Sequence, residues 1–401
     1  MPKKTLEALA RQPLEGLRAL VRVDFNVPVK DGAVTDRTRI DAALPTIRWL
    51  RDRGCRVVLL SHFGRPKGGP DPGYSLRVVV PALEAGLGQP IHFLDDPTAD
   101  AAVRTTRQLK RGDVALAENT RFFPGEEKND PELAEHFAAL GDFYVNDAFG
   151  SAHRAHASTE AVAHLLKPAV AGFLMAKELA YLGEALARPA RPFLAVLGGA
   201  KISGKIDVID HLLPRVDAIL VGGAMACTFF AAMGHEVGAS LVETDRIDLA
   251  KGLLDRAGPK LVLPGGAVVA QRLASDAPTR EVARDRIEPG WAVYDIDSRS
   301  AADFRGRIVA AKTVVWNGPM GVFETPPFDR GTIAVAHALA DATRAGAVTV
   351  VGGGDSAAAI AQAGLTDAVT HVSTGGGASL EFLEGKTLPG VAALDEAPDA
   401  R

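Results

Sequence analysis

Short apolar runs of strand length alternate along the chain with longer segments that have the spacing of amphipathic helices. In the first half the apolar runs are residues 17–25, 55–63, 113–120 and 142–149, and the helical segments are 41–54, 74–88 and 131–141. In the second half the runs are 193–199, 218–223, 260–266, 313–319 and 348–354, and helical segments include 245–258 and 329–346. Apolar strands that alternate with helices predict parallel sheets covered on both faces. We therefore expect an α/β protein with two doubly wound, Rossmann-like domains.

The boundary between the two sets of strands falls in residues 164–186, where a helical pattern continues without turn residues. We interpret this segment as a connecting helix that serves as a hinge. A chain of 401 residues exceeds what one hydrophobic core usually supports, which also favours two domains. The pattern predicts a first domain over residues 1–170 and a second over 171–380.

Composition excludes several classes of protein. Hydrophobic residues make up 47% and charged residues 23% of the chain, as in ordinary globular proteins. A net charge of −4 argues against a general nucleic-acid binder, and charged residues interrupt the apolar stretch near 161–187, which argues against a membrane span. The N-terminus has no apolar core of a secretory signal, and Cys55 and Cys227 form no CxxC pair. We expect a soluble cytoplasmic protein without a nucleic-acid or membrane partner.

Glycine-rich turns in the second half point to phosphate binding. Four apolar runs there meet two or three glycines and then a helix-forming stretch, within residues 193–205, 218–229, 349–359 and 371–382. Helix N-termini beyond parallel strands present unpaired N–H groups, and glycine lets a phosphate oxygen approach the backbone. Tight turn geometry would explain one such turn. Four in one domain favour a phosphate site.

Three charged residues accompany these turns. Lys201 and Lys205 are four residues apart after a Gly-Gly-Ala sequence, so they would share a helix face suited to neutralising phosphate. The alternative is a solvated helix face, and the spacing matches neither a Walker A loop nor a dinucleotide fingerprint. Asp355 follows three glycines and could contact Mg²⁺, cap a helix, or do both.

Basic side chains are concentrated in the first half. They follow predicted strands or begin helices: Arg39, His62, Arg65, Arg121 and Arg154. Each alone is typical of a surface ion pair, but five in one domain predict a focused anion site, in which Asp24 and Asn26 could bond substrate hydroxyls. His153 and His156 have the spacing of a metal pair but lack further clustered ligands, so zinc is not expected.

The chain resembles the phosphoglycerate kinase family in motifs spread over nearly its whole length. They include RVDFNVP at 22–28, SHFGRP at 61–66, LGGAKISGK at 197–205, WNGPMGVFE at 316–324, GGGDS at 352–356 and STGGGAS at 373–379. Their number and order make the resemblance specific. It implies a glycolytic and gluconeogenic kinase that reversibly transfers a phosphoryl group between 1,3-bisphosphoglycerate and ADP, giving 3-phosphoglycerate and ATP. It also implies Mg²⁺ with the nucleotide, a monomeric enzyme, and a C-terminal tail, 381–401, that returns to the first domain.

The same resemblance implies roles for individual residues. Those that would bind phosphoglycerate are Asp24, Phe25, Asn26, Arg39, His62, Phe63, Gly64, Arg65, Arg121 and Arg154. Those that would bind the nucleotide are Lys201, Lys205, Gly222, Gly223, Asn317, Pro319, Glu324, Gly353, Gly354, Asp355 and Ser356. Among them Gly222 and Gly223 would lie beside the adenine, Glu324 would hold the ribose, and Asp355 would meet Mg²⁺. The catalytic residues implied are Arg39, Lys201, Gly375, Gly376 and Gly377.

Three positions depart from the family pattern. Residues 263–266 read LPGG where LPVD is common, so a carboxylate is missing. The stretch 291–298 lacks a glycine usually found beside the adenine, so Val293 or Tyr294 would shape that wall differently. Residues 203–205 read SGK rather than the commoner SDK. These differences concern the nucleotide site and leave the implied reaction unchanged.

Two rival functions share parts of this pattern. A nicotinamide-dependent dehydrogenase has doubly wound sheets but should show GxGxxG with an acidic residue about 20 positions on, which we do not find. A non-catalytic two-domain binding protein would not need lysines, a carboxylate and triple-glycine turns together.

For the kinase we expect no general base, because the reverse nucleophile is an ionised carboxylate. We expect in-line transfer after the domains close about the hinge.

Overall fold

The computed structural model describes residues 2–67 and 69–397, apart from the side chains of residues 184–186. The chain divides into two compact units. One is formed by the chain up to Ala180 together with the chain from Thr387 onward, and the other is Tyr181–Lys386. The sequence placed the two boundaries ten and six residues earlier, at 170 and 380. None of the helices in the described ranges is long and apolar enough to cross a membrane.

The first unit is built on a six-stranded parallel sheet with the order β5-β6-β4-β1-β7-β8. The strands of this unit are β1 Arg18–Arg22, β2 Val29–Lys30, β3 Ala33–Val34, β4 Arg56–Leu60, β5 Ile91–Leu94, β6 Val114–Ala117, β7 Phe143–Asn146 and β8 Ala169–Ala171. Strands β2 and β3 form a separate antiparallel pair. Strand β1 lies between β4 and β7, so the strand order reverses beside it, where open α/β sheets bind ligands.

Helices cover the sheet of the first unit because each has one apolar face. They are α1 Thr38–Asp52, α2 Val80–Leu87, α3 Asp100–Gln108, α4 Pro131–Ala138 and α5 Val162–Leu165. In α1 the buried residues Ile40, Leu44 and Ile47 recur at helical spacing and join the core cluster of this unit. Asp130 caps α4 by accepting a hydrogen bond from the Leu133 amide at 3.0 Å.

The predicted connecting helix over 164–186 is shorter than expected. Residues Ala169–Ala171 form β8, which pairs with β7, and helix α6 begins only at Phe173 and ends at Ala187. Pro168 cannot donate to a helical ladder, and the three residues that follow it are fully buried. The sequence did not predict this short strand because it lies within a continuous apolar stretch. Periodicity does not distinguish a buried strand from a buried helix in such a stretch.

The second unit repeats the parallel architecture with the order β11-β10-β9-β15-β16-β17. Its strands are β9 Phe193–Leu197, β10 Ala218–Val221, β11 Leu261–Val262, β12 Gly266–Ala270, β13 Arg280–Ala283, β14 Ala292–Ile296, β15 Thr313–Asn317, β16 Val348–Gly352 and β17 His371–Val372. Its helices are α7 Ile206–Leu212, α8 Met225–Ala232, α9 Ile247–Ala257, α10 Ser298–Ala310, α11 Arg330–Arg344, α12 Gly354–Gln362 and α13 Gly377–Leu383. The order reverses between β9 and β15. The two parallel sheets confirm the predicted fold class.

A three-stranded antiparallel sheet, β13-β12-β14, was not predicted. Its outer strand β13 is mostly exposed and lacks an apolar pattern, so nothing in these residues indicates a strand before the chain is folded. Strand β14 carries Val293 and Tyr294, the two residues predicted to shape the adenine wall.

The C-terminal segment belongs to the first unit. Helix α14, Pro389–Ala392, lies there, and the Gly390 amide donates to the Ala152 carbonyl at 2.9 Å. Asp395 accepts a hydrogen bond from Lys167 at 2.7 Å, and its carbonyl accepts one from the Lys4 amide at 2.8 Å. The described part of the tail, up to residue 397, is therefore hydrogen-bonded both to the first residues of the chain and to residues near 152–167 in the first unit.

Candidate active site

The polar side chains of the first unit gather where parallel strands end. Asp24 follows β1, His62 follows β4 and Arg121 follows β6, while Arg39 lies in the first turn of α1. Because the strands are parallel, their carboxyl ends meet at one edge of the sheet. The fold therefore brings together segments that are far apart in sequence.

Arg39, Asp24 and Asn26 form one hydrogen-bonded group. Nη1 of Arg39 lies 3.0 Å from Oδ2 of Asp24 and 3.2 Å from the Asn26 carbonyl. The Asn26 side chain accepts a hydrogen bond from the Gly64 amide at 2.9 Å. The Arg39 guanidinium is thus held by an ion pair while about a third of its side chain, 36%, stays exposed. It keeps donors available for an anion.

A buried arginine that the sequence interpretation did not assign lies beneath this group. Arg22 is fully buried, and its Nη2 lies 3.0 Å from Nδ1 of His62. Its Nε donates to Ser158 Oγ at 2.9 Å, and Ser158 in turn donates to Glu126 at 2.6 Å. The one available signal was the charged residue inside an otherwise apolar strand, since a buried cation needs partners.

The histidines of this cluster are neutral. Burial and then the positive charge of Arg22 hold the pKa of His62 well below its usual value. The same two causes lower the pKa of His156 to about 4. Burial also lowers the pKa of Arg121. Positive charge therefore resides on the arginines, and the histidines act as neutral hydrogen-bonding groups.

The other predicted residues of the first unit differ in their contacts. Arg121 donates to the Gly64 carbonyl at 2.7 Å and lies 3.1 Å from Glu127, and Arg154 donates to His153 at 3.1 Å. Among the described residues Arg65 makes no hydrogen bond or ion pair, and it is exposed. Phe25 and Phe63 are buried in the core cluster. Their side chains are therefore part of the core, and only their backbones can contribute to the predicted phosphoglycerate site.

The glycine turns of the second unit enclose two adjoining cavities. The larger cavity, about 640 Å³, is lined by residues that include Gly223, Ser240, Val293, Tyr294, Pro319 and Glu324. The smaller cavity, about 280 Å³, is lined by residues that include Lys201, Lys205, Asn317, Gly354, Ser356 and Gly376. Gly199, Ala200 and Asp355 line both. The two cavities therefore meet beside one carboxylate.

Most of the predicted nucleotide residues line one of these cavities. Gly353 and Gly377 also line the smaller one. Gly222 and Gly375 line neither. A Cβ atom at Gly222 would lie 2.4 Å from the Met320 sulfur, so this glycine permits close packing, and the Gly375 amide donates to Ser373 Oγ at 3.1 Å.

The lysine pair does not share a helix face, contrary to the interpretation of its spacing. Helix α7 begins at Ile206, so Lys201 and Lys205 lie in the loop before it, where Ser203 and Gly204 form a turn. Both still face the smaller cavity. Lys201 is exposed, whereas Lys205 is half-buried and donates from Nζ to Oδ1 of Asn317. Burial lowers the pKa of Lys205 to about 8, and the charge of Asp355 opposes that shift.

Asp355 is not a helix cap. Gly353, with φ of 90°, occupies the N-cap position of α12, and Asp355 is the second residue of the helix with an exposed carboxylate. The described residues contain no group of three or more acidic, histidine or cysteine side chains that could hold a metal ion. One carboxylate beside a phosphate site nevertheless fits Mg²⁺, which takes one or two carboxylates together with phosphate oxygens and water.

The structure gives physical reasons for two of the three departures from the family pattern. A Cβ at Gly266 would lie 2.6 Å from Asp297, so the Asp297 carboxylate fills the volume that a side chain at 266 would take. Val293 and Tyr294 both line the larger cavity, and the Val293 amide donates to Ser240 Oγ at 3.0 Å. A Cβ atom at Gly204 would meet nothing closer than the Lys201 carbonyl oxygen, at 4.0 Å, so nothing in the packing requires glycine there.

Comparison with known proteins identifies the relatives of this chain. A model of the family described as phosphoglycerate kinase matches residues 9–386. A phosphoglycerate kinase of Chloroherpeton thalassium is 56% identical over 401 residues, covering 99% of this chain and 100% of the relative. A chloroplastic phosphoglycerate kinase of Volvox carteri is 52% identical, covering 98% of this chain and 86% of the relative. The solved phosphoglycerate kinase of Coxiella burnetii superposes with a TM-score of 0.89 at 39% identity, covering 98% of each chain.

Proposed function

The chain belongs to the phosphoglycerate kinase family, and on that premise we propose how its two clusters divide the work of the reaction. The enzyme is a glycolytic kinase that transfers a phosphoryl group reversibly between 1,3-bisphosphoglycerate and ADP, giving 3-phosphoglycerate and ATP. The observation that best supports the division is chemical. One unit offers arginines around neutral histidines, and the other offers glycine turns with two lysines and one carboxylate.

The first unit binds the phosphoglycerate in this proposal. Arg39, Arg121 and Arg154 supply donors in the fork geometry that matches phosphate and carboxylate oxygens. Arg65, which has no partner among the described residues, is available to join them. Asp24 and Asn26 orient Arg39 and can accept a hydrogen bond from the substrate hydroxyl.

The second unit binds the nucleotide. The larger cavity accommodates the nucleoside, with Gly223, Val293 and Pro319 beside the base and Glu324 at the ribose. The smaller cavity accommodates the phosphates, with Lys201 and Lys205 as counter-charges and backbone amides as donors. Asp355 would hold the Mg²⁺ ion, whose charge offsets that of the phosphates when it is bound.

Catalysis rests on positioning and charge stabilisation. The attacking group is an ionised oxygen in both directions, so no base has to remove a proton. Arg39, Lys201 and the amides of the triple glycine at 375–377 stabilise the charge on the transferred phosphoryl group. The two substrates are held by different units, so transfer requires closure about the connecting helix.

We extend the proposal to the setting of the enzyme. Both cysteines are free and buried, as suits a reducing compartment, and we propose that the protein is a cytoplasmic monomer without a nucleic-acid or membrane partner.

A coupled assay tests the function directly. The protein is supplied with 3-phosphoglycerate and Mg·ATP, and a glyceraldehyde-phosphate dehydrogenase oxidises NADH as the acyl phosphate appears. We expect turnover that depends on both substrates and on Mg²⁺. Tight binding of both ligands without turnover would instead identify a non-catalytic binding protein.

A further inference from the structure

Asp295 is a buried carboxylate that the reaction described above does not use. It lies on β14 with 1% of its surface exposed, and no described residue forms an ion pair with it. Its Oδ2 accepts a hydrogen bond from the Gly331 amide at 2.7 Å, and its Oδ1 accepts one from the Ile296 amide at 2.9 Å. Burial raises its pKa to about 7, and these two hydrogen bonds oppose the shift. A carboxylate in so unfavourable a place needs a structural or functional reason.

The first of these hydrogen bonds ties β14 to the start of α11. Gly331 is the second residue of that helix, so its amide is one of the donors without an intrahelical partner, and Asp329 at the N-cap makes no side-chain cap. Asp295 therefore caps α11 from a different element. The N-terminus of α11 cannot move away from β14 without leaving both groups unsatisfied.

Two glycines let the chain close around the Asp295 carboxylate. A Cβ atom would lie 2.4 Å from Oδ1 at Gly321 and 2.3 Å from it at Gly331, so neither position has room for a side chain. Neither glycine has a positive φ. Glycine is needed at both positions for space rather than for backbone freedom. Both backbones come close to the same oxygen atom, Oδ1 of Asp295.

The elements that Asp295 joins are also walls of the larger cavity. On one side Val293 and Tyr294, which come directly before Asp295 on β14, line this cavity. On the other side it is lined by three residues of the segment from Gly321 to Gly331, namely Gly321, Val322 and Glu324. The Val322 amide donates to the Tyr294 carbonyl at 2.8 Å, which connects the two walls at the cavity itself. Asp295 follows Tyr294 on one side of this contact, and its carboxylate packs against Gly321, which precedes Val322 on the other side.

We propose that Asp295 is a positioning residue for the nucleotide: by accepting hydrogen bonds from Ile296 and Gly331 and packing against Gly321, its carboxylate sets the spacing between the β14 wall and the segment that carries Glu324. The proposal rests on the proposed function, in which this cavity binds the nucleoside part of ADP or ATP. It concerns ground-state binding, so it predicts an effect on nucleotide affinity and little effect on the chemical step.

The test compares two isosteric variants. Asp295→Asn keeps the volume but turns an amide group toward one of the two N–H donors. Asp297→Asn is the matched control, because Asp297 is also buried, directly follows the same strand, and caps α10 through the Ser300 amide at 3.0 Å, but lies beside Gly266 rather than beside Gly321 and Gly331. Both variants lose one buried acceptor, and only the first should loosen the nucleotide walls.

For Asp295→Asn we expect the Kd for ADP, measured by isothermal titration, and the KM for ATP to rise about tenfold, because nucleotide binding must then order walls that a hydrogen bond to a charged group, worth about a factor of ten, no longer fixes. The kcat and the KM for the phosphoglycerate substrate should change less than about twofold. Asp297→Asn should leave all four quantities within about twofold of the unmodified enzyme. A purely structural role would shift both variants alike, or would raise both KM values together, and either result would overturn the proposal.

Two further measurements keep the outcome interpretable. If Asp295→Asn does not fold, Asp295→Ser replaces it, because it removes the same carboxylate without adding atoms beside Gly321 and Gly331. We expect the same selective loss of ADP affinity, and unchanged affinity in that folded variant would contradict the proposal. Failure of the unmodified protein to bind ADP would instead count against the proposed function.

Discussion

Nη2 of Arg22 lies 3.0 Å from Nδ1 of His62 in a fully buried contact. A guanidinium has only donors, so Nδ1 must accept, and the neutral imidazole then carries its proton on Nε2. Arg22 therefore selects the tautomer of His62 as well as keeping the ring uncharged. A histidine in this state can donate to a phosphate or carboxylate oxygen without adding a titrating charge to the site.

The first prediction concerns this tautomer. Long-range ¹H–¹⁵N correlation spectra should show His62 protonated on Nε2 at neutral pH. In Arg22→Met the fixed tautomer should be lost and the pKa of His62 should rise, because one of the positive charges that lower it is gone.

Arg18→Met is the control for that experiment. Arg18 lies at the opposite end of the same strand from Arg22. Its Nη2 is 2.6 Å from Oδ1 of Asp142. Its loss should leave the His62 signals in place. An Nδ1–H tautomer in the unmodified enzyme would contradict the assignment.

Arg39→Ala should lower kcat far more than it weakens nucleotide binding. Loss of a donor that stabilises transition-state charge typically costs about a hundredfold or more in rate. Turnover in the coupled assay and the Kd for ADP by titration calorimetry give the two quantities. Unchanged turnover would remove Arg39 from the catalytic role.

Lys205 should take up a proton when the nucleotide binds near pH 8. Burial lowers its pKa to about 8, so a substantial fraction of the side chain is neutral there, and bound phosphate favours the charged form. Calorimetry in buffers of different ionisation enthalpy measures the uptake. Lys205→Arg should bind ADP without it, because arginine is already protonated. Equal uptake by both proteins would place the proton elsewhere.

Asp355 and Glu324 should respond differently to Mg²⁺. Asp355→Asn should weaken Mg·ADP binding while leaving the affinity for metal-free ADP unchanged or improved, because a negative charge beside the phosphates is removed. Glu324 lines only the larger cavity, so Glu324→Gln should weaken both forms alike. Binding titrations with Mg²⁺ and with a chelator distinguish these cases. A metal-independent effect of Asp355→Asn would argue against its role as an Mg²⁺ ligand.

Two buried groups of the first unit should give opposite slopes of stability against pH. Burial lowers the pKa of His156 to about 4, so between that pKa and 6.5 the unfolded chain binds more protons and stability falls as pH falls. Burial raises the pKa of Asp147 to about 6, so between 3.8 and that pKa the folded chain binds more protons and stability falls as pH rises.

Urea midpoints at about pH 4.5 and about pH 6 test both signs. His156→Gln should lose less stability on acidification than the unmodified protein, and Asp147→Asn should lose more. The same pH dependence in all three proteins would mean that neither group titrates as its burial indicates.

Local pattern was enough to predict most of the parallel strands and most of the helices. The runs at 193–199 and 313–319, for example, became β9 and β15, because strands buried on both faces are continuously apolar. Among the strands that were missed are β5, residues 169–171 and β13. Residues 169–171 lie inside a longer apolar stretch, and β13 is mostly exposed, so neither differs from its neighbours in sequence.

The candidate site was predicted residue by residue, and its roles remain predictions. What the sequence could not supply was the contact of Arg22 with Ser158, because 136 positions separate them. It also placed Lys201 and Lys205 on a helix, because spacing alone does not show that the helix begins only at Ile206.

By itself, then, the sequence determined the α/β class, the family, and which half carries arginines and which carries glycine turns. These properties depend on composition, periodicity and motif order, all of which are local or additive along the chain. Only the tertiary structure decided that Arg22 and Asp295 are buried, that His62 is neutral, and that two cavities meet at Asp355. Desolvation and hydrogen-bond partners arise from residues brought together by folding, so they cannot be read before the chain is folded.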